Sequence, residues 1–506
     1  MSGPAQDPRS SAGPPSVRPQ ATPRLGVVRV AVLCVILVVA VGAGVADHSL
    51  HRVPPAAAPP QPISSIAPAF VESSAWYCAG GTSATGSTAA TTIDLVNTTG
   101  HRVSGTMTAV GDTGTTKTVP VSVGAHDESV QTPGTLAGGG HVATTIDLDG
   151  GGVLVTESVA GPLGWSETQC SRSTASQWYF ASGSTIDGNT LTLSLFNPTA
   201  TDAVVDMTFV TPAGVVQPQP FEGIVVAPDT LVTESVDAFV QDDASVSSIV
   251  LAQTGAVVAA ALETEAAGGV RGLSVRLGVP AVFDAWSLPN SFDNVGGSTS
   301  ITVFNPTGRT DRVAITVRPG ADPKARFSDT VGPRSAWVFD ASAQTRIPPG
   351  ISYLATVSVR SGPGVVVDRT VRAPSSLVGP QFGAATGLSV GPAEAPADTV
   401  VLPGPGTVAH PTVPTADVRT LNVVNPGATA VSATVAALVP LSGLVKLDRV
   451  RVPAGSAVAL GRSVLGSAGR FPLVVSSEHP IVVLEDLGPT AGAGVVSLAG
   501  SGAPGG

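Results

Sequence analysis

Residues that could do chemistry are few and widely separated in this chain. Four carboxylates recur at the ends of apolar, strand-like runs: Glu157 in "VLVTE", Glu263 in "VVAAALE", Asp368 in "GVVVD" and Glu485 in "IVVLE". Glycoside hydrolysis needs two carboxyls about 5–10 Å apart across one cleft, and one acid per run does not supply them. A sharper alternative is calcium at domain junctions, which wants about six to eight oxygens from clustered acids. The adjacent acid pairs near loops or junctions are Asp127-Glu128, Asp242-Asp243 and Glu485-Asp486. The simpler reading is an edge residue that pairs with a nearby Arg or caps a turn.

Other chemical signatures fail on context. "GLSVG", Gly387 to Gly391, fits the G-x-S-x-G elbow, but "GPAEAPAD" follows where the elbow needs a helix. A related phrase, "RGLSVRLGVP" around Ser274, lacks the second glycine, so Ser389 reads as part of a connection between repeats. The histidines His48, His51, His101, His126, His141, His410 and His479 show no metal-ligand spacing, and there is no phosphate-binding G-x-x-x-x-G-K-[ST]. Cys78 and Cys170 flank one repeat, and in an exported chain two such cysteines favour a disulfide over two separate thiols. No catalytic, cofactor-binding or metal residue is assigned, and the expectation is a protein that is not an enzyme. The formal charge of −10 and the lack of a basic patch interleaved with aromatics argue against nucleic acid.

The elements that carry these residues repeat. "TTIDLVNTTG" (Asn97), "LTLSLFNPTA" (Asn197), "SITVFNPTG" (Asn305) and "RTLNVVNPGA" (Asn425) lie 100, 108 and 120 residues apart. Each is preceded by an opening strand, in three cases with a tryptophan (Trp76, Trp178, Trp286), and followed by a strand, a broken strand and a closing hairpin. Trp165 and Trp337 do not recur and are slightly better candidates for a surface contact, with ordinary packing the default for both. The strands alternate: in "RVAITVR", Val313, Ile315 and Val317 face one way. Period two with one apolar face is the mark of an antiparallel sheet packed on one side. The reading is all-β, with tandem immunoglobulin-like antiparallel β-sandwiches of six or seven strands; propeller blades, with a shorter period, rank second. Asn-Pro ends a strand because proline cannot donate to a ladder, and the Asn side chain can bond the backbone two residues on.

Residues 30–46, "VAVLCVILVVAVGAGVA", form an apolar run at the short end of what spans a bilayer. Arg9, Arg18, Arg24 and Arg29 precede it, which keeps that side in the cytoplasm. A signal anchor is preferred over a peptide cleaved after Ala46. The expected organisation is a cytoplasmic arm (1–26), a transmembrane anchor (27–46), a Pro/Ala-rich spacer (47–70) and four repeats (71–172, 173–281, 282–395, 396–506).

"WYFASG", Trp178 to Gly183, followed by "LTLSLFNPTA" and a Val-rich strand ending Pro-Ala-Gly, resembles the W-Y-F-A-x-G … N-P repeat of exported bacterial proteins. Anchor, spacer and four repeats together resemble an actinobacterial family of membrane-anchored proteins, the domain of unknown function 5719 type. The resemblance implies an envelope protein with tandem immunoglobulin-like domains, and association with envelope glycan assembly; it carries no catalytic residues. The resulting expectation is a non-enzymatic extracellular scaffold, a rod of four modules held by one N-terminal helix. It would bind a cell-envelope glycan or protein, with no cofactor. Alternatives are an accessory subunit of an envelope-glycan enzyme and an adhesin.

Overall fold

The first strand of the repeating unit carries Trp76 between half-buried neighbours and is followed by the strand that ends at Asn97. In the computed structural model, residues 66–67, 69–83, 88–290, 297–319, 324–373, 381–386, 388–389, 397–404, 419–487, 496–499 and 501–503 are described. The arm, the anchor and most of the spacer lie outside the described residues. Among the described residues, no helix is long and apolar enough to cross a membrane.

Module 1 has strands β1 (Ser74–Thr82), β2 (Ala90–Asn97), β3 (Val103–Gly111), β4 (Thr116–Val123), β5 (Glu128–Gln131), β6 (His141–Leu148), β7 (Val153–Gly161) and β8 (Gly164–Gln169). They pair as β4–β3–β6–β1 and as β5–β2–β7–β8, joined by one parallel bridge at Thr82 and Ala90. We call the first layer the outer sheet and the second the inner sheet. The same two orders recur in the other modules. In module 3, for example, Ala325–Val331, Asp311–Pro319, Tyr353–Ser361 and Ala285–Asn290 form the outer layer. Two facing antiparallel layers are the expected sandwich. The eighth strand, which lies past the closing hairpin, exceeds the six or seven read from the repeat.

Alternation assigns the core faces correctly. Val313, Ile315 and Val317 are buried, as are Leu191, Leu193 and Leu195. Ile315→Ala in the full chain is expected to cost about 3 kcal/mol, as for other large-to-small core changes. Exchange protection of module 3 peptides is the check, and a cost near zero would reverse the facing.

The second face of each inner sheet is buried too. Every residue of Val258–Glu265 is buried. Phe196, Leu231, Val258 and Ala260 of module 2 pack on Ala79, Val110 and Ala143 of module 1. The closing strands β8, Arg271–Leu277, Gln381–Thr386 and Val496–Ala499 touch in a cycle, each against the next and the last against the first. Arg271–Leu277 and Gln381–Thr386 pair in parallel, merging two inner sheets. Gly272 permits this, since a Cβ there would lie 2.4 Å from the Phe382 carbonyl oxygen. Against β8, whose ladder does not extend this far, Ser166 Oγ accepts from the Val275 N–H (3.0 Å) and Thr168 Oγ1 from the Leu277 N–H (3.1 Å).

Modules 1 and 4 also meet. Ile66, Val96 and Leu154 form one apolar cluster with Val401, Leu438 and Val474. The expectation of an extended rod is therefore corrected: the modules close into a ring with their last strands at the centre. The reason is the second apolar face of each closing hairpin, which a rod would leave in water.

Candidate functional site

The four repeated asparagines are fully buried, and each ends its strand. Their side chains do the same work four times. Asn305 Nδ2 donates to the carbonyls of Arg309 (2.6 Å), Val331 (3.2 Å) and Gly332 (2.9 Å). Its Oδ1 accepts from the Thr307 N–H (2.9 Å) and hydroxyl (2.7 Å). Asn97, Asn197 and Asn425 make the equivalent bonds to His101, Thr201 and Thr429 and to the next inner-sheet turn. Only module 4 has Gly427 where the others have a threonine, and there the backbone N–H alone donates. These residues are structural pins, as the turn chemistry predicts.

The recurrent acids differ from their expected place. Glu157, Glu263, Asp368 and Glu485 are all buried, not at edges. Nor are they equivalent. Glu157 and Glu485 stand opposite Ile93 and Leu421, each four residues before its Asn, whereas Asp368 is opposite Thr302 and Glu263 opposite Leu191. The pairing itself is constant, since the residues before the four asparagines (Val96, Phe196, Phe304, Val424) face Leu154, Val258, Val366 and Val482; the acids lie at different distances further along the closing strand.

Their partners are at the seams. Both Glu157 oxygens accept from the Gly80 N–H (2.9 and 3.1 Å), at a glycine whose Cβ would strike Val275 of module 2. Glu263 pairs with Arg276 at 3.0 Å. Asp368 Oδ2 accepts from the N–H groups of Ala181 (3.1 Å) and Ser182 (2.9 Å) and from the Ser182 hydroxyl (3.0 Å), all in module 2. Glu485 pairs with Arg419 at 2.7 Å. Burial pushes Glu157 up to about 7 against the pull of the nearby N–H donors. Burial likewise pushes Glu263 up to about 7, with Arg276 opposing it, and raises Glu485 against Arg419.

Of the further seam residues, Glu128 and Asp486 entered the sequence reading only as members of acid pairs considered for calcium, and Arg369, Arg372, Glu265, Asp94 and Glu167 did not enter it. Arg369 of module 3 pairs with Asp486 of module 4 at 2.5 Å, and Arg372 bonds Glu265 of module 2. Asp94, Glu128 and Glu167 of module 1 face module 4. Asp94, raised to about 6 by burial, accepts from Ser158 at 2.9 Å. Glu167, raised well above its ordinary value by burial and then by Asp94 and Glu485, accepts from Thr156 at 2.9 Å. A charged residue inside an apolar run, as in "VVVDRTV" or "TTIDLV", is the signal that would have marked these positions.

Cys78 and Cys170, 92 positions apart in sequence, form a disulfide with Cα atoms 4.7 Å apart. It closes module 1 and stabilises it by about 2–4 kcal/mol, the usual range. Trp76, Trp178 and Trp286 are core residues, and the indoles of Trp178 and Trp286 donate to Val257 and Val365 carbonyls at 2.8 and 3.0 Å. Trp165 is packed in the interior, against Leu487 of module 4, and Trp337 is half-buried beside Phe339. Ser389 sits in a short strand, Leu388–Ser389, paired with Trp286 and Ser287, and the residues after it lie outside the described residues. Among the described residues, no three His, Cys, Asp or Glu side chains are placed to hold one metal ion. Glu485 and Asp486, one of the pairs considered for calcium, are each committed to an arginine. On the outer sheet of module 1, an open groove of about 470 Å³ is lined by Ser104, Thr106, Ser122, Asp147 and Asp149.

Fold and seams together define a class: an all-β protein of four antiparallel sandwich modules with polar residues concentrated between them. Residues 151–273 match a family of unknown function, DUF5719. The match begins at the closing hairpin of module 1 and ends in the closing strand of module 2. No curated protein matches. Among solved structures, the chain is similar to a Thermotoga maritima protein, 1070, at 13% identity, covering 21% of this chain and 95% of that one with a TM-score of 0.19. It is also similar to a tetra-tandem repeat from the extending region of a large adhesion protein, at 12% identity, covering 80% and 91% with a TM-score of 0.12.

Proposed function

We propose that this chain is a non-enzymatic, membrane-anchored scaffold of the bacterial cell envelope that binds an envelope glycan or protein. One observation carries the reading: the polar residues that repeat with the modules are spent on architecture. The asparagines tie turns and the recurrent acids are held by arginines or backbone N–H groups, in Asp368's case those of the neighbouring module, so each repeat adds a rigid surface and no reacting group. The apolar run at residues 30–46 and the arginines before it support an N-terminal anchor with the modules outside the cell. The hydroxyl- and carboxylate-lined groove on module 1 is a suitable place for a polar polymer. The resemblance to actinobacterial exported proteins supports the same setting.

The test is incubation of the full chain, in detergent, with purified cell wall. Co-sedimentation without release of soluble sugar is the expected result. An Asp147→Ala/Asp149→Ala variant is expected to bind at least several-fold more weakly. Release of sugar would replace the scaffold by an enzyme, and absence of binding would move the partner from glycan to protein.

A further inference from the structure

The contact that closes the ring differs in charge from the others. Between modules 2 and 3, Glu263, Glu265 and Asp368 face Arg276 and Arg372, and Asp368 has three donors besides. Where module 1 meets module 4, five carboxyls gather: Asp94 from β2, Glu128 from β5, Glu167 from β8, and Glu485 and Asp486 from Leu473–Leu487. Against them stand two guanidiniums, Arg419, paired with Glu485, and Arg369, paired with Asp486. Asp94, Glu167, Glu485 and Asp486 are buried and Glu128 is half-buried. Glu128 makes the direct link, accepting from the Gly404 N–H of module 4 at 3.0 Å.

Among the described residues, no further arginine or lysine is paired with a carboxyl of this cluster. Asp127, at the rim, accepts from the Glu128 N–H at 2.9 Å. His126 packs beside Gly443, with its Nδ1 buried and unpartnered. Arg470 is exposed and stacks on Phe471. Three carboxyls are thus left over from the two ion pairs, and unpaired carboxylates taken out of water repel one another and take up protons.

We propose that the contact between modules 1 and 4 is a proton-controlled closure: with Asp94, Glu128 and Glu167 protonated the ring is shut, and their ionisation weakens this seam ahead of the others. The open form would be an arc of four modules with the apolar cluster around Leu438 and Val474 uncovered. Burial and the Asp94 charge push Glu128 up to about 8, and burial brings Asp94 to about 6. Folded values above the unfolded ones mean that the stabilisation is complete below about pH 4 and is lost as pH rises through 6 to 8.

Hydrogen exchange on the full chain at pH 5.5 and 8.5, corrected for intrinsic exchange, tests this. Peptides containing Gly404 and Leu438 are expected to lose protection at least about tenfold at the higher pH. Those containing Ala181 and Ser182, at the seam of modules 2 and 3, should change less. In a Glu128→Gln/Glu167→Gln variant the loss should shrink, because the amides cannot ionise. The proposal is overturned if the wild-type closure keeps its protection at pH 8.5, if both seams loosen alike, or if the folded amide variant loosens as the wild type does. Should that variant not fold, the comparison of seams in the wild type still decides.

Discussion

Asn305→Ala is expected to destabilise module 3 by roughly 4 kcal/mol, well above the usual cost of a polar-to-alanine change. The side chain is fully buried and bonds three carbonyls and two groups of Thr307. A methyl group replaces none of these bonds. Each bond contributes about 1 kcal/mol net, and stranded buried carbonyls cost about 1–3 kcal/mol each. Asn305→Asp separates the donor from the acceptor. It keeps the oxygen that serves Thr307 but sets a buried carboxylate against three carbonyls. That variant should be at least as unstable as the alanine at pH 7 and recover partly as acid protonates it. A four-module chain need not unfold in one step, so the measurement is exchange protection of module 3 peptides. A loss under about 1 kcal/mol for the alanine would show that the turn holds itself.

That residue also marks how far the sequence could be read. A strand stop at an Asn is local chemistry: all four strands end at the repeated Asn, three of them before a proline and the first, at Asn97, before Thr98. The facing of Val313, Ile315 and Val317 follows from a period of two. The outward face of the same strands was a different matter. "VVAAALE" reads equally as a one-sided strand with small residues outside and as one buried on both faces, and periodicity does not separate them. Its unbroken apolar character was the sign of two-sided burial. The ring was harder still, because Glu128 and Gly404 are 276 positions apart and nothing local announces their meeting. The acids misled for a related reason. Glu157 and Glu263 end similar phrases in strands that pair alike, but one lies three residues past the partner of Val96 and the other five past the partner of Phe196, so the phrase does not fix the acid's place on the strand.

Arg419 shows what a buried charge at such a seam costs when broken. Its side chain is almost wholly enclosed. Nη1 donates to Gly469 (2.8 Å) and Phe471 (2.7 Å) carbonyls, and Nη2 to the Pro403 carbonyl and Glu485 (both 2.7 Å). One planar fork therefore ties the opening of module 4 to its short helical segment and to its closing strand, a geometry that lysine cannot copy. Arg419→Met is expected to cost about 4–5 kcal/mol, chiefly because Glu485 is left buried without a counter-charge. It also removes one of the two bases at the junction with module 1, so the closure should loosen at a lower pH than in the wild type. Adding Glu485→Gln should restore part of the loss, since the stranded charge, and not the missing packing, is the larger penalty. Exchange protection of module 4 peptides in the single and double variants at pH 7 reads this directly. If the double variant is no more stable than Arg419→Met, the three backbone carbonyls, and not the ion pair, are what Arg419 is there to hold.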